Sequence, residues 1–422
     1  MEKLGGKRKS VWEREPLSVD DISPSEINYI HNLASKRPKY KEKDCNSDLD
    51  VYTKIALLKV SPSVAGLVSY SGDEEINQGS GTIIESNDNV NIVLTSANLI
   101  RRIRRSTCVQ FVENNLLDNL KVTVYTCDGT GYKGEVIAHD FHYNLAAIRF
   151  KSETPLATAT LAHVDDSFSI ASIPQSFQLR AHLRSSNLVP GDKVIAVGRY
   201  FAKDFDIMAA HGEYSLERAD SEYDCRELFT ANCIITRSGD GGPLINYNGE
   251  VIGITYYDFG LMPWMPINIV RLWWQHYKRF GEYCRPSLGI EATNLYAADI
   301  CIMERLMLKF PSVCKGVFIE KVVPGSSADL AGIHANDVIV QCGGKTIQGF
   351  IEFFETIWDK VGSLVEVVVI RPGGLSATTN EDLISLTPLL TLDTFINRVN
   401  CNLLYTFWKG SSFGKTMHRQ EI

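Results

Sequence analysis

Ser238-Gly239-Asp240-Gly241-Gly242-Pro243-Leu244-Ile245-Asn246 is the stretch on which the reading of this chain turns. Adjacent glycines precede a short apolar run, and Asn248-Gly249 separates that run from the next. An Asn-Gly pair between apolar runs marks a tight hairpin, because both residues accept the positive φ that the turn demands. The stretch therefore predicts a glycine loop feeding a hairpin of Pro243 to Tyr247 against Glu250 to Tyr256.

The same texture extends upstream. Short apolar runs at Ile55 to Val60, Ala65 to Tyr70, Gly81 to Glu85, Val90 to Thr95, Lys121 to Tyr125, Gly134 to Ala138 and Leu145 to Phe150 are separated by turn residues. A second series holds Phe168 to Ile173, Lys193 to Gly198 and Phe229 to Thr236. Evenly spaced runs of this length predict a closed all-β architecture, here two barrels of about six strands each over residues 53 to 257. From Pro266 to Phe280 the apolar spacing becomes helical, with Ile267, Val270, Trp273, Trp274 and Tyr277 near one face; such a stripe packs against a neighbouring unit. Residues Pro286 to Pro372 predict a small α+β sandwich, with strands at Val317 to Val322, Asp337 to Cys342 and Leu364 to Arg371. Its helices are expected near Ala328 to Ala331 and Phe350 to Val361.

The chain has 422 residues, 44% of them hydrophobic and 22% charged, which suits two folded modules with tails. A net charge of -7 gives no overall attraction to nucleic acid or to an anionic membrane surface. Two local basic clusters stand out. Arg101-Arg102-Ile103-Arg104-Arg105 follows a predicted buried strand and is expected as a solvated turn. Lys36-Arg37-Pro38-Lys39-Tyr40-Lys41 matches a short nuclear import pattern. The ten cysteines show neither metal-ligand spacing nor a disulfide framework. Neither a metal nor a cofactor is expected. The polar N-terminus and the absence of a long apolar run predict a cytoplasmic or nuclear protein without a membrane span.

Ordered motifs carry a family resemblance. The stretch around Asp240 resembles the G-N-S-G-G-P-L loop of trypsin-like and Do-like (HtrA) serine proteases, and Gly249 to Ile254 resembles their following G-x-V-x-G-I strand. Val93-Leu94-Thr95-Ser96-Ala97-Asn98 resembles L-T-x-A-H, and Asp140-Phe141-His142-Tyr143-Asn144-Leu145-Ala146 resembles D-x-x-x-D-L-A. Gly79 to Ile84, Gly191 to Gly198 and His211 to Ser215 continue the register. Further on, Ser287-Leu288-Gly289-Ile290 resembles the carboxylate-binding loop of a Do-like PDZ domain. Gly316 to Ile319, Val323 to Ala328, Ala331 to Ile333 and Asn336 to Ile339 match the rest of that pattern. The resemblance runs nearest to plant members of the family. It implies a mainly β fold: a trypsin-like double six-stranded β-barrel followed by an α+β PDZ domain. The expected plan is a flexible arm over 1–50, the protease fold over 51–265, a linker helix over 266–283, the PDZ domain over 284–375 and a tail over 376–422.

What the resemblance implies for chemistry is loss. Where the family holds its general base, acid and nucleophile, this chain has Asn98, Asn144 and Asp240. An amide neither accepts a proton near neutral pH nor carries charge to stabilise a cation. Ser238, Gly239 and Asp240 form the expected oxyanion-hole loop, where an Asp240 carboxylate would fill the hole itself and be held ionised by backbone N–H groups. His139 and His142 are expected as surface or turn histidines out of reach of residue 240, and Cys233 as a buried thiol. The expected function is a pseudoprotease that binds peptides or protein C-termini through Ser287, Leu288, Gly289 and Ile290. An active endopeptidase in protein quality control, or a non-catalytic subunit of a Do-like oligomer, are the alternatives. The family's habit of trimerising implies a homo-trimer or a hetero-oligomer with active relatives, with no nucleic-acid or membrane partner.

Overall fold

A computed structural model describes residues 49–105, 110–171, 187–201, 205–216, 225, 227–258, 261–281, 284–358, 360, 363–371, 389–391 and 393–396. The N-terminal arm through residue 48, with its Lys36 to Lys41 cluster, and most of the tail lie outside those residues.

The first described element is a helix, α1 (Val51–Val60), where the run Ile55 to Val60 suggested a strand. Asp50 decides the matter. Its carboxylate accepts the N–H groups of Tyr52 at 2.8 Å and Thr53 at 3.0 Å, capping the helix N-terminus. Thr53, Ala56, Leu57 and Val60 are then buried at helical spacing. Short apolar runs do not by themselves separate a buried strand from a buried helix.

Strands β1 (Val64–Ser71), β2 (Glu74–Asn87) and β3 (Val90–Ser96) follow, then the hairpin of β4 (Arg101–Arg105) and β5 (Gln110–Leu116). Next come β6 (Leu120–Tyr125), β7 (Gly131–Asp140) and β8 (Leu145–Lys151). The order β1-β2-β3-β8-β7-β6 closes the first barrel. The basic run at 101 to 105 is thus a paired strand, not a turn. Arg101 is buried, donates to the Phe141 carbonyl at 2.6 Å and lies 4.8 Å over the Phe141 ring.

The second barrel uses β9 (Lys193–Arg199), β10 (Ile207–Ser215), β11 (Phe229–Ala231), β12 (Pro243–Ile245), β13 (Val251–Thr255) and β14 (Met262–Pro266). It closes in the order β10-β11-β14-β13-β12-β9. Two expected strands differ. Phe229 to Thr236 is extended only through Ala231, and the described part of Phe168 to Ile173 is irregular. That segment has left the barrel: the Ile170 N–H donates to the Cys314 carbonyl, and its side chain joins the cluster of Leu295, Leu306 and Phe318.

Helix α2 (Ile267–Phe280) then buries Trp273 and Trp274. The Trp274 indole donates to Glu85 of β2 at 2.8 Å, so the aromatic stripe fastens the first barrel. Gly281 ends the helix in the left-handed region at φ 75°.

The last module comprises β15 (Cys284–Ser287), β16 (Ile290–Asn294), α3 (Ile300–Lys309), β17 (Val317–Val322), α4 (Ser327–Leu330), β18 (Val338–Cys342), β19 (Lys345–Thr346), α5 (Phe350–Trp358) and β20 (Leu364–Ile370). Its sheet runs β16-β17-β18-β20-β21, where β21 (Leu389–Thr391) comes from the expected tail. A further tail strand, β22 (Asp393–Ile396), pairs antiparallel with β15. One continuous apolar cluster runs from the second barrel through α2 into α5 and the sheet of this module. No helix among the described residues is long and apolar enough to cross a membrane.

Candidate functional site

The glycine loop sits where the two barrels meet, and backbone packing explains its composition. A Cβ on Gly242 would lie 2.1 Å from the Val197 carbonyl oxygen. At Gly241, with φ +83°, it would lie 2.3 Å from the Thr95 hydroxyl. The first barrel clasps the loop through Ser80, whose N–H donates to the Asp240 carbonyl at 2.8 Å and whose hydroxyl donates to the Ser238 carbonyl at 2.6 Å.

Asp240 and Asn98 are brought together, with the Asn98 amide donating to Asp240 Oδ2 at 3.1 Å. The other carboxylate oxygen accepts the Tyr257 N–H at 3.1 Å. Asn144 stands one step behind. Its backbone is left-handed, at φ 53°, and its side-chain amide donates to the Ser96 hydroxyl at 2.9 Å. Ser96 in turn accepts the Asn98 N–H at 3.1 Å and hydrogen bonds to Asp240. Sequence reasoning missed Ser96 and Tyr257 as members of this network, although Ser96 lies inside the motif that located Asn98. No sequence signal points to Tyr257, because it approaches from the irregular connection after β13.

The expectation that Asp240 fills the oxyanion hole is corrected. Residues Arg237–Gly239 form a 3-10 turn. In it the N–H groups of Gly239 and Asp240 donate to the Thr236 and Arg237 carbonyls at 2.9 and 3.1 Å. Those of Gly241 and Gly242 donate to Thr255 and Gly239 at 2.8 and 3.0 Å. These four donors are spent on backbone carbonyls, so the carboxylate turns away toward Asn98 and Tyr257. Its charged form is disfavoured there relative to water. Burial, opposed by the hydrogen bonds from Asn98, Tyr257 and Ser96, raises its pKa to about 6.

His142 is in a turn, as expected, but it has a partner: its Nε2 lies 3.6 Å from Glu227 Oε2. Burial lowers the pKa of His139. Cys233 is buried, and burial pushes its thiol up to about 12.

In the PDZ-like loop, Gly289 has φ +71°, and a Cβ there would lie 2.2 Å from Ser326 Cβ. The carbonyls of Leu288 and Gly289 accept N–H groups from Ala328 and Val323 at 3.1 and 2.8 Å. These bonds fix Ser287, Leu288, Gly289 and Ile290 against α4. Strand β16 follows at the end of its sheet, and its outer edge faces the second barrel. A cavity of about 200 Å³ separates Ala292, Thr293 and Asn294 from Tyr214, Ser215, Phe229 and Thr230.

Two contacts hold that arrangement. Asp166, buried in the segment leaving the first barrel, accepts the Asn294 amide at 2.7 Å and the Ile351 N–H at 3.3 Å, capping α5. Burial raises its pKa to about 6. Tyr143, next to Asn144, is fully buried and stacks on Trp358 of α5 at 6.1 Å, with Phe354 edge-on at 6.5 Å. The turn that holds Asn144 and helix α5 of the PDZ domain therefore touch through one ring, which no sequence spacing foretells.

Models of two known domains match the chain: a trypsin-like peptidase domain over residues 79–254 and a PDZ domain over 318–371. It is 31% identical over 329 residues to putative protease Do-like 14 of Arabidopsis thaliana, covering 75% of this chain and 67% of that one. Serine protease HTRA1 of Xenopus laevis is 26% identical over 368 residues, 83% of this chain and 68% of its own. The periplasmic pH-dependent serine endoprotease DegQ of Escherichia coli is 27% identical over 265 residues, 60% and 51% of the two chains. The crystal structure of the serine endoprotease from Yersinia pestis is matched with a TM-score of 0.44 at 18% identity, over 82% of this chain and 99% of that one.

Proposed function

Because the chain belongs to the Do-like (HtrA) family of trypsin-like serine proteases with a PDZ domain, we propose that it is a pseudoprotease, a member that binds peptides or protein C-termini without cutting them. One observation carries this reading: the Asp240 carboxylate, hydrogen bonded to the Asn98 amide, stands where nucleophile and base should meet. Acyl transfer needs a nucleophile, a base that takes its proton and a group that holds the resulting cation. Here a carboxylate faces an amide, and Asn144 offers no charge. Within the loop the Gly239 and Asp240 N–H groups, two of the donors a developing oxyanion could use, are already bonded to carbonyls.

Peptide binding rests on the PDZ framework. The Ser287 to Ile290 loop and the outer edge of β16, the terminal strand of its sheet among the described residues, are the elements to which an extended peptide adds as a strand. The cavity along that edge, about 200 Å³, is below the roughly 300–1,000 Å³ of ordinary ligand pockets. A peptide strand therefore enters only when the PDZ domain moves off the second barrel.

Casein digestion tests the first half. The unmodified chain is expected to release no fragments over hours, alongside a triple variant Asn98→His, Asn144→Asp, Asp240→Ser. Turnover by the unmodified chain that disappears in Asp240→Ala would overturn the reading.

A further inference from the structure

A second cluster of reactive side chains lies beside Tyr143, whose ring meets that of His142 at 5.1 Å. His142 comes from the turn between β7 and β8 of the first barrel, while Cys225 and Glu227 come from the segment that enters β11 of the second. Glu227 Oε2 is shared: it lies 3.6 Å from His142 Nε2 and accepts the Cys225 thiol at 3.1 Å. The imidazole nitrogen, sulfur and carboxylate oxygen all lie within 4.8 Å of one another. A tetrahedral zinc ion with bonds of about 2.0–2.3 Å places such ligand atoms about 3.3–3.6 Å apart. The two measured edges thus depart from that geometry by about half an ångström or less.

The surroundings are also those of a cation site. Asp140 Oδ2 and the Tyr143 hydroxyl are buried without a hydrogen-bond partner. Both belong to the same turn as His142, and Asp140 is close enough for its charge to act on Cys225. Orphaned oxygen atoms in a buried pocket call for a cation or a water. The nearby positive group, Arg285, lies over the Tyr143 ring at 5.7 Å.

We infer that His142, Cys225 and Glu227 form a binding site for a borderline-soft divalent metal of the zinc class, which ties the first barrel to the second beside the platform that seats the PDZ domain. A thiolate, an imidazole and a carboxylate are the donor set zinc takes, and three protein ligands leave a fourth position for water. Charge balance suits burial: neutral His142, the Cys225 thiolate and the Glu227 carboxylate together cancel the dication. On binding, the S–H bond of Cys225 breaks, a metal–sulfur bond forms and one proton leaves to solvent. The site is distinct from the Asn98, Asn144 and Asp240 network.

The test reads metal directly, so it is independent of whether the chain cleaves or binds peptides. The full chain, stripped by a chelator under a non-thiol reductant, is titrated with zinc against a chromophoric competitor. The expected result is one zinc per chain with a submicromolar Kd, and a loss of at least about tenfold in His142→Ala and Cys225→Ser, since even outer partners of a metal ligand are worth that much. Cobalt substitution should give a thiolate-to-cobalt charge-transfer band that Cys225→Ser abolishes and Cys233→Ser keeps. Circular dichroism of each variant verifies that it is folded. Absence of zinc binding at micromolar concentration, or unchanged affinity in folded Cys225→Ser, would overturn the inference.

Discussion

Asp240 shows what burial does to one carboxyl in the glycine loop. A carboxyl whose folded pKa exceeds its ordinary value stabilises the fold most while protonated. For Asp240 the contribution is complete below about 3.8 and lost as pH rises to about 6. At 1.36 kcal/mol per unit, the loss is up to about 3 kcal/mol. The variant Asp240→Asn keeps the shape and removes the ionisation. Its expected stability at pH 7 is about 1–3 kcal/mol above the parent's. Urea unfolding at pH 4, 5, 6 and 7 checks this: the parent should lose stability across the series more steeply than the variant, and identical slopes would refute the assignment. Sequence motifs singled out Asn98, Asn144 and Asp240, which the fold gathers around Ser96. They did not reveal which way the carboxylate turns, because rotamer choice follows from the N–H groups that remain available, and the 3-10 turn had used them.

Among the elements, the glycine loop and α5 show opposite degrees of legibility. The hairpin of β12 and β13 was evident from Asn248-Gly249, and Gly241 and Gly242 were recognisable as loop glycines. Gly242→Ala forces a Cβ to 2.1 Å from the Val197 carbonyl, so it is expected to destabilise the chain by more than about 3 kcal/mol, beyond ordinary overpacking; a thermal melt equal to the parent's would contradict the packing account. Helix α5 was foreseen as a helix, but its cap was not. That cap comes from Asp166, 185 residues away from Ile351 in sequence. Removing it in Asp166→Ala leaves the Ile351 N–H without its side-chain acceptor and the Asn294 amide with only the Tyr296 hydroxyl, a cost of about 1–3 kcal/mol. The freed PDZ domain is expected to bind a C-terminal peptide several-fold more tightly than the parent by fluorescence anisotropy. Unchanged affinity would mean that the barrel contact does not restrict the groove. The misread run Ile55 to Val60 and the misread Arg101 to Arg105 share one cause: a single capping aspartate and a single carbonyl partner outweighed the local pattern.

At the scale of the whole molecule, docking of the PDZ domain should respond to pH. Burial raises the pKa of Asp166 to about 6 against the opposing hydrogen bonds from Asn294 and Ile351, and the charge of neighbouring Asp165 adds to the rise. A pKa higher in the docked state than in the released one means that protons favour docking. Peptide affinity of the full chain is therefore expected to increase as pH goes from 5 to 7, while Asp166→Asn, neutral throughout, should show no such trend. Anisotropy titrations at each pH decide it, and a parent profile flat from 5 to 7 would refute the mechanism. The sequence by itself determined the barrels and the PDZ framework, because alternation of apolar residues, glycine turns and motif register are local properties. Only the tertiary structure decided that Asp240 faces Asn98 rather than the loop N–H groups, that Asp166 caps a helix of another module, and that Tyr143 joins Asn144's turn to α5. Those outcomes depend on which donors and surfaces distant segments leave open once packed, and no local pattern encodes that.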